Sequence, residues 1–203
     1  MNIRIVKPNI VIIADHKPDK LLKDWIKENL IEEDPENFVN TPLFSLYESP
    51  KFRLIVDSNR FQLILKSDKK EDLHLLKDAV IKYVEKFKEI NYRALGINFT
   101  GIINSSESEV LPQVSVSIGE IKNIYDLFPS HKINFGAIIY AIKNPYILKL
   151  TVERKGPQTL SFDFNYHHQI TNSSEIEEYI QELSGLYDFS EKLLCKIGGE
   201  VDD

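Results

Sequence analysis

The chain of 203 residues has one cysteine, Cys195. That excludes an intramolecular disulfide and any cysteine-rich zinc site. Cys195 sits in the apolar run "EKLLCKI" and reads as a packed thiol. No apolar stretch is long enough to span a bilayer. The N-terminal "MNIRIVKPNIVIIADH" is broken by Pro8, stopped by Asp15 and lacks a small-residue cleavage site, so a cytoplasmic location is expected. An excess of positive charge is also missing: the formal net charge is -6 and the pI about 5.5. The whole-molecule field therefore opposes nucleic acid, which could be met only through a local patch. GxSxG, HExxH, Walker and zinc patterns are all absent. Gly96 and Gly101 in "ALGINFTG" do not make a phosphate loop, because no helix follows and no lysine closes the motif.

What remains is globular composition, 42% hydrophobic and 28% charged, in a chain long enough to bury a substantial core. "IRIV" and "NIVIIA" (9–14) read as a short and a buried strand separated by Pro8. "PDKLLKDWIKENL" has helical spacing, with Leu21, Leu22, Trp25, Ile26 and Leu30 on one face. "IEEDPENFVNTP" reads as a loop. "LFSLYES", "KFRLIVD" and "RFQLILKS" are strands, the last two joined at Asp57-Ser58-Asn59. A long amphipathic helix follows, with Leu73, Leu76, Val80, Tyr83, Phe87 and Ile90 on its stripe and Asp68/Glu71 spaced as a capping box. "YRALGINFTGII" is a strand.

The second half repeats the order. "QVSVSIG", "IKNIYDLF" and "KINFGAIIYAI" read as strand, helix and strand. "YILKLTVERKGPQTLSFDFNYHHQ" gives two strands, joined around Lys155-Gly156-Pro157. A helical stretch from Ser174 closes the chain, with Ser174/Glu177 as its capping box and Gly185 as a point of interruption. The expected fold is α+β: two similar halves, 1–103 and 104–203, each strand, helix, three strands, helix. Together they form a largely antiparallel sheet with helices on one face.

The segment "DFNYHH" raises the question of a metal or catalytic site. Alternation along a strand puts Leu160, Phe162, Phe164, Tyr166 and His168 on one side and Ser161, Asp163, Asn165 and His167 on the other. The adjacent histidines point apart and cannot chelate one ion as neighbours. Asp163 and His167 share a face, yet their Cα atoms stand about 13 Å apart. The hairpin partner brings Lys149, Thr151 and Glu153 to the same side. Asp163, Asn165, His167, Glu153 and Thr151 are thus the candidate binding residues, and no metal or cofactor is assigned. His168 reads as a hydrogen-bonded histidine on the apolar side.

Small polar groups recur on one parity elsewhere: Asn98 and Thr100, and Gln113, Ser115 and Ser117. Such a face is cheaper to desolvate than one carrying long charged chains. It suits a ligand or a subunit contact. Two weaker candidates are Asp15-His16 at a strand end and a basic group around the first hairpin: Lys51, Arg53, Arg60, Lys66, Lys69 and Lys70. Phe52 and Phe61 share the parity of Leu54, Leu63 and Leu65, so they read as core rather than as base-stacking rings. His131 reads as a loop residue.

"YRALGINFTG" (92–101) after a long helix, together with the element order from about 50 to 197, resembles a sporadically distributed family of uncharacterised microbial proteins. That resemblance implies no established activity and no catalytic residues. The sequence favours a non-enzymatic binding or assembly protein, with a second copy or another protein as partner. The alternative is a hydrolase-type enzyme, metal-dependent or not, using Asp163, His167 and Glu153. A third reading is nucleic-acid binding through the basic hairpin.

Overall fold

A computed structural model describes residues 2–105, 136–156 and 158–198. The expected "QVSVSIG" strand, the "IKNIYDLF" helix and His131 lie outside those residues. The fold is α+β. Nine strands form one sheet in which every pairing is antiparallel, in the order β2-β3-β4-β5-β1-β6-β9-β8-β7. They are β1 (Asn2–Ala14), β2 (Asn37–Asn40), β3 (Phe44–Glu48), β4 (Phe52–Asp57), β5 (Arg60–Leu65), β6 (Tyr92–Asn104), β7 (Gly136–Lys143), β8 (Tyr146–Gly156) and β9 (Thr159–Gln169). The helices are α1 (Lys23–Ile26), α2 (Leu73–Lys86), α3 (Ser173–Tyr179) and α4 (Leu183–Gly198). From the central β1–β6 pair, strands β5, β4, β3 and β2 run outward on one side and β9, β8 and β7 on the other.

The first strand departs from expectation. "IRIV" and "NIVIIA" are one strand of 13 residues, interrupted by a bulge rather than ended by Pro8. Val6 pairs with Thr100 and Asn9 with Asn98, so β1 carries one residue more than its partner over that interval. Lys7 occupies the left-handed region, φ 53. The extra residue switches the alternation: Ile3 and Ile5 face the core before it, and Ile10, Ile12 and Ala14 after it. Without the bulge, one half of this strand would bury its polar side chains.

The core lies between the sheet and α2 and α4. Leu73, Leu76, Val80, Tyr83 and Phe87 are buried from the expected stripe of α2, and Leu95, Ile97, Phe99, Phe162, Phe164 and Tyr166 face them from the central strands. At Gly101 the sheet comes so near α4 that a Cβ would lie 2.6 Å from Leu194 Cδ1. Glycine is needed there for closeness, not for a turn.

Four local expectations are corrected. The helix expected over 18–30 is broken into a 3-10 turn (Pro18–Lys20), α1 and a π-helical turn (Lys27–Ile31). Leu22 is left 61% exposed while Leu21 and Ile26 are buried, because the chain does not keep one helical phase across the break. The stretch taken as a loop contains β2. Asp68 and Glu71 make no capping box; Ser67 Oγ donates to Asp72 Oδ2 at 2.5 Å and takes the Lys69 N–H. The last helical stretch begins earlier than Ser174: Asn172 Oδ1 accepts from Glu175 N, and Glu175 in turn accepts from Thr171 N, at 3.1 Å each. Its interruption is a 3-10 turn at Ile180–Glu182, just before Gly185.

Candidate functional site: the open face of the sheet

The sheet face turned away from the helices carries the alternate residues of each strand, and among the described residues no element covers it. The expected parity of β9 holds: Phe162, Phe164 and Tyr166 are buried, and Asp163 and Asn165 are exposed. His168 lies on the apolar side, its Nδ1 3.0 Å from the Pro145 carbonyl and its ring against Tyr179, with centroids 4.1 Å apart. Tyr166 hydrogen-bonds Ser190 Oγ at 2.7 Å, and burial pushes its hydroxyl up to about 12.

Backbone register places Asn9, Asn98 and Asn165 directly opposite one another on β1, β6 and β9. Their side chains link across the strands. Gln62 Nε2 and Asn98 Nδ2 each donate to Asn9 Oδ1 at 3.2 Å, and Asn165 Nδ2 donates to Asn98 Oδ1 at 2.5 Å. Arg60 extends the row by donating to Gln62 Oε1 at 2.8 Å. One register step away, Thr100 Oγ1 donates to Asp163 Oδ1 at 3.0 Å, and Thr151 stands opposite Asp163 on β8. The row runs through a shallow depression of about 570 Å³, lined among others by Arg60, Gln62, Asn98, Asp163 and His167.

The candidate residues are therefore partly brought together. Asp163, Asn165 and Thr151 are neighbours in the lattice of the sheet. His167 sits at the end of the same face, opposite Gly96 and Ile147, and neither ring nitrogen makes a hydrogen bond to the described residues. It makes none to Asp163. Glu153 stands opposite Ser161 and is ion-paired with Lys155, whose ammonium is held above its usual range by that bond. Among the described residues, no three His, Cys, Asp or Glu side chains group to hold a metal ion.

The face is less uniformly polar than its central strands suggest. One register row crosses all nine strands as Val39, Leu46, Ile55, Gln62, Val11, Gly96, His167, Ile147 and Ile142. Gln62 and His167 are its polar members, around Val11 and Gly96 at the centre, and aliphatic side chains occupy both flanks. Asn9 and Gln62 were not among the sequence candidates. The alternation of β5 carries Gln62, but Asn9 reaches the face only through the bulge. Gln113, Ser115 and Ser117 lie outside the described residues.

The weaker candidates resolve differently. His16 is buried beneath Phe61, with Nε2 3.0 Å from the Ile12 carbonyl and Nδ1 2.7 Å from Tyr83 Oη. A carbonyl only accepts, so Nε2 carries the proton and the Tyr83 hydroxyl donates to Nδ1. Desolvation lowers the His16 pKa, against the raising pull of the Ile12 carbonyl. Asp15 turns instead to Arg93, at 3.2 Å. Asp15 and His16 thus serve different partners. In the basic hairpin, Lys51 meets Glu33, Lys66 meets Glu48 and Lys70 meets Asp188, at 3.7, 3.2 and 2.5 Å.

Among the described residues no helix is long and apolar enough to cross a membrane. A scan against protein-family models finds no match, and a search of curated proteins finds no relative.

Proposed function

We propose that this is a non-enzymatic binding or assembly protein that works through the open face of its sheet, with a second copy of the chain as its first partner. The observation that carries this reading is the cross-strand amide row flanked by aliphatic side chains that no other described element covers. Amides donate and accept hydrogen bonds without exchanging a net proton, which suits recognition rather than acid–base chemistry. Asn165 Oδ1, Asp163 Oδ2 and the His167 ring have hydrogen-bonding capacity that the described residues do not use.

The size fits as well. Nine strands spaced about 4.8 Å apart make a face roughly 38 Å wide. A standard interface takes about 800 Å² from each partner, and three or four register rows of this face supply an area of that order. Ile142 and Ile147, 86% and 52% exposed at one flank, would be desolvated at the rim.

Light scattering on wild type and on Asn165→Lys tests the reading. The wild type should show a mass above that of the 23.5 kDa monomer, and the variant the monomer mass with an unchanged unfolding midpoint. A wild type that stays monomeric at every concentration overturns self-assembly.

A further inference from the structure

Beside the amide depression, the same face holds a larger trough of about 790 Å³, which shares with that depression only Thr100. We infer that this trough is a binding site for a small amphipathic anion: a carboxylate or phosphate head on an aliphatic body. The inference does not rest on the assembly reading, since apart from Thr100 its residues are different ones.

The floor is largely aliphatic, with Thr100, Thr159 and Ser161 beside it. Val6, Ile64 and Ile102 line it from β1, β5 and β6, and Val6 is only 7% exposed although it lies on the open face. The rim is cationic. Arg4, Lys7, Arg53, Lys66 and Lys155 line the trough against two carboxylates, Glu48 and Asp68. This local excess opposes the chain's net charge of -6. Two of the five cations are engaged: Lys66 with Glu48 and the Ser49 carbonyl, and Lys155 with Glu153. The side chains of Arg4, Lys7 and Arg53 make no hydrogen bond or ion pair with the described residues.

Arg4 and Lys7 come from β1 and Arg53 from β4, and the bulge in β1 brings the first two to the trough. By switching the alternation it sets Arg4 and Val6 on the open face although Asn9 is there too. It also holds Lys7 in the left-handed region, a conformation that non-glycine residues disfavour. Arg53 reaches the trough from β4, in the same register row as Ile64 and Asn9.

Three cations with no ion pair among the described residues, around a largely aliphatic floor, identify the ligand by complementarity. An inorganic anion would satisfy the rim and leave the floor wet. A neutral alkane chain would cover the floor and leave the charges unanswered. The volume lies within the roughly 300–1,000 Å³ of ordinary small-molecule sites. A nucleic-acid strand would use the rim but gains little from aliphatic side chains, since base recognition favours aromatic platforms.

Isothermal titration with four probes tests the inference: decanoate and decyl phosphate below their micellar concentrations, decanol, and inorganic phosphate. Expected is saturable one-to-one binding of decanoate, decyl phosphate or both, with decanol and inorganic phosphate at least about tenfold weaker. Whichever of the two anions binds tighter names the head group. Arg4→Gln with Arg53→Gln should weaken that binding by about tenfold or more and reduce its salt dependence. Ile102→Asn should weaken the amphiphile and leave the weak phosphate binding unchanged. Both variants alter partly or fully exposed side chains, and an unchanged urea midpoint confirms that each is folded. The inference is overturned by failure of both anions to bind, by equal binding of decanol or phosphate, or by binding that the double variant leaves intact. Retention of single-stranded DNA lost in the double variant, without binding of either amphiphile, would overturn it in favour of a nucleic-acid groove.

Discussion

Replacing Tyr83 with Phe removes one oxygen from the buried interior and leaves His16 Nδ1 with no donor. The Tyr83 ring packs on Phe61 and Phe87, with centroids 4.2 and 4.8 Å away, and those contacts survive the change. The loss is confined to the 2.7 Å hydrogen bond. An unmet buried acceptor costs about 1–3 kcal/mol, more than the net value of an ordinary hydrogen bond. For a domain of this length that lowers the thermal midpoint by about 2–4 °C per kcal/mol.

The pH dependence follows from the same pair. Burial lowers the His16 pKa from 6.5, so the folded state binds this proton less readily than the unfolded chain. The stability that depends on neutral His16 is therefore fully present above pH 6.5 and is lost as pH falls through the lowered folded value. Protonation of Nδ1 would end the bond that the Tyr83 hydroxyl donates to it and make the hydroxyl turn to accept. Urea unfolding followed by fluorescence of Trp25, the single tryptophan, reads both effects. Expected at pH 8 is a Tyr83→Phe deficit in the range given. Between pH 7 and pH 5, wild type should lose stability more steeply than His16→Gln. Equal stability of Tyr83→Phe and wild type at pH 8, or parallel pH profiles for wild type and His16→Gln, would refute the assignment of this pair.

Phe164, 1% exposed and stacked on Tyr166, should cost about 3–5 kcal/mol on truncation to Ala in the same urea assay; no loss would contradict the parity of β9. Gly101→Val should cost about 1–3 kcal/mol, because the new methyls meet the buried Leu194 side chain, and Gly101→Val with Leu194→Ala should recover part of it. Asn172→Ala removes the N-cap of α3 and should cost about 0.5–2 kcal/mol, measured by thermal unfolding. His167→Ala and Asp163→Ala should each change urea stability by no more than about 0.5 kcal/mol; under the proposed function both reduce the mass seen by light scattering. Loss of a stoichiometric bound metal in both variants would favour the hydrolase alternative instead.

Strand parity was legible because a period of two needs only the sequence: Phe162, Phe164 and Tyr166 alternate with Asp163 and Asn165, and water sorts them. The stripe of α2 was legible for the same reason at period 3.6. The antiparallel α+β class followed from hairpin-length connections between strands, since neighbours in sequence pair at low entropic cost. The two capping boxes were misplaced because Asp, Ser and Asn all cap. At the last helix the residue that does so is chosen by where packing lets the helix begin, at Ser173, whereas α2 begins at Leu73 with no side-chain cap.

Local pattern could not reveal what depends on residues distant in the chain. Pro8 reads as a strand end, yet pairing with β6 carries β1 through it as a bulge, because continuous pairing on both sides outweighs one irregular residue. The amide row joins positions 9, 62, 98 and 165, and the cationic trough joins 4, 7, 53 and 155. No spacing links those numbers. Strand order and register do, and both are set by the buried face, where Ile10, Leu63, Ile97, Phe164 and their neighbours must fit against α2 and α4. The sequence by itself thus determined which side of β9 meets water and which stripe of α2 meets the core. Only the tertiary structure decided which exposed side chains stand together, because core packing on the opposite face aligns them.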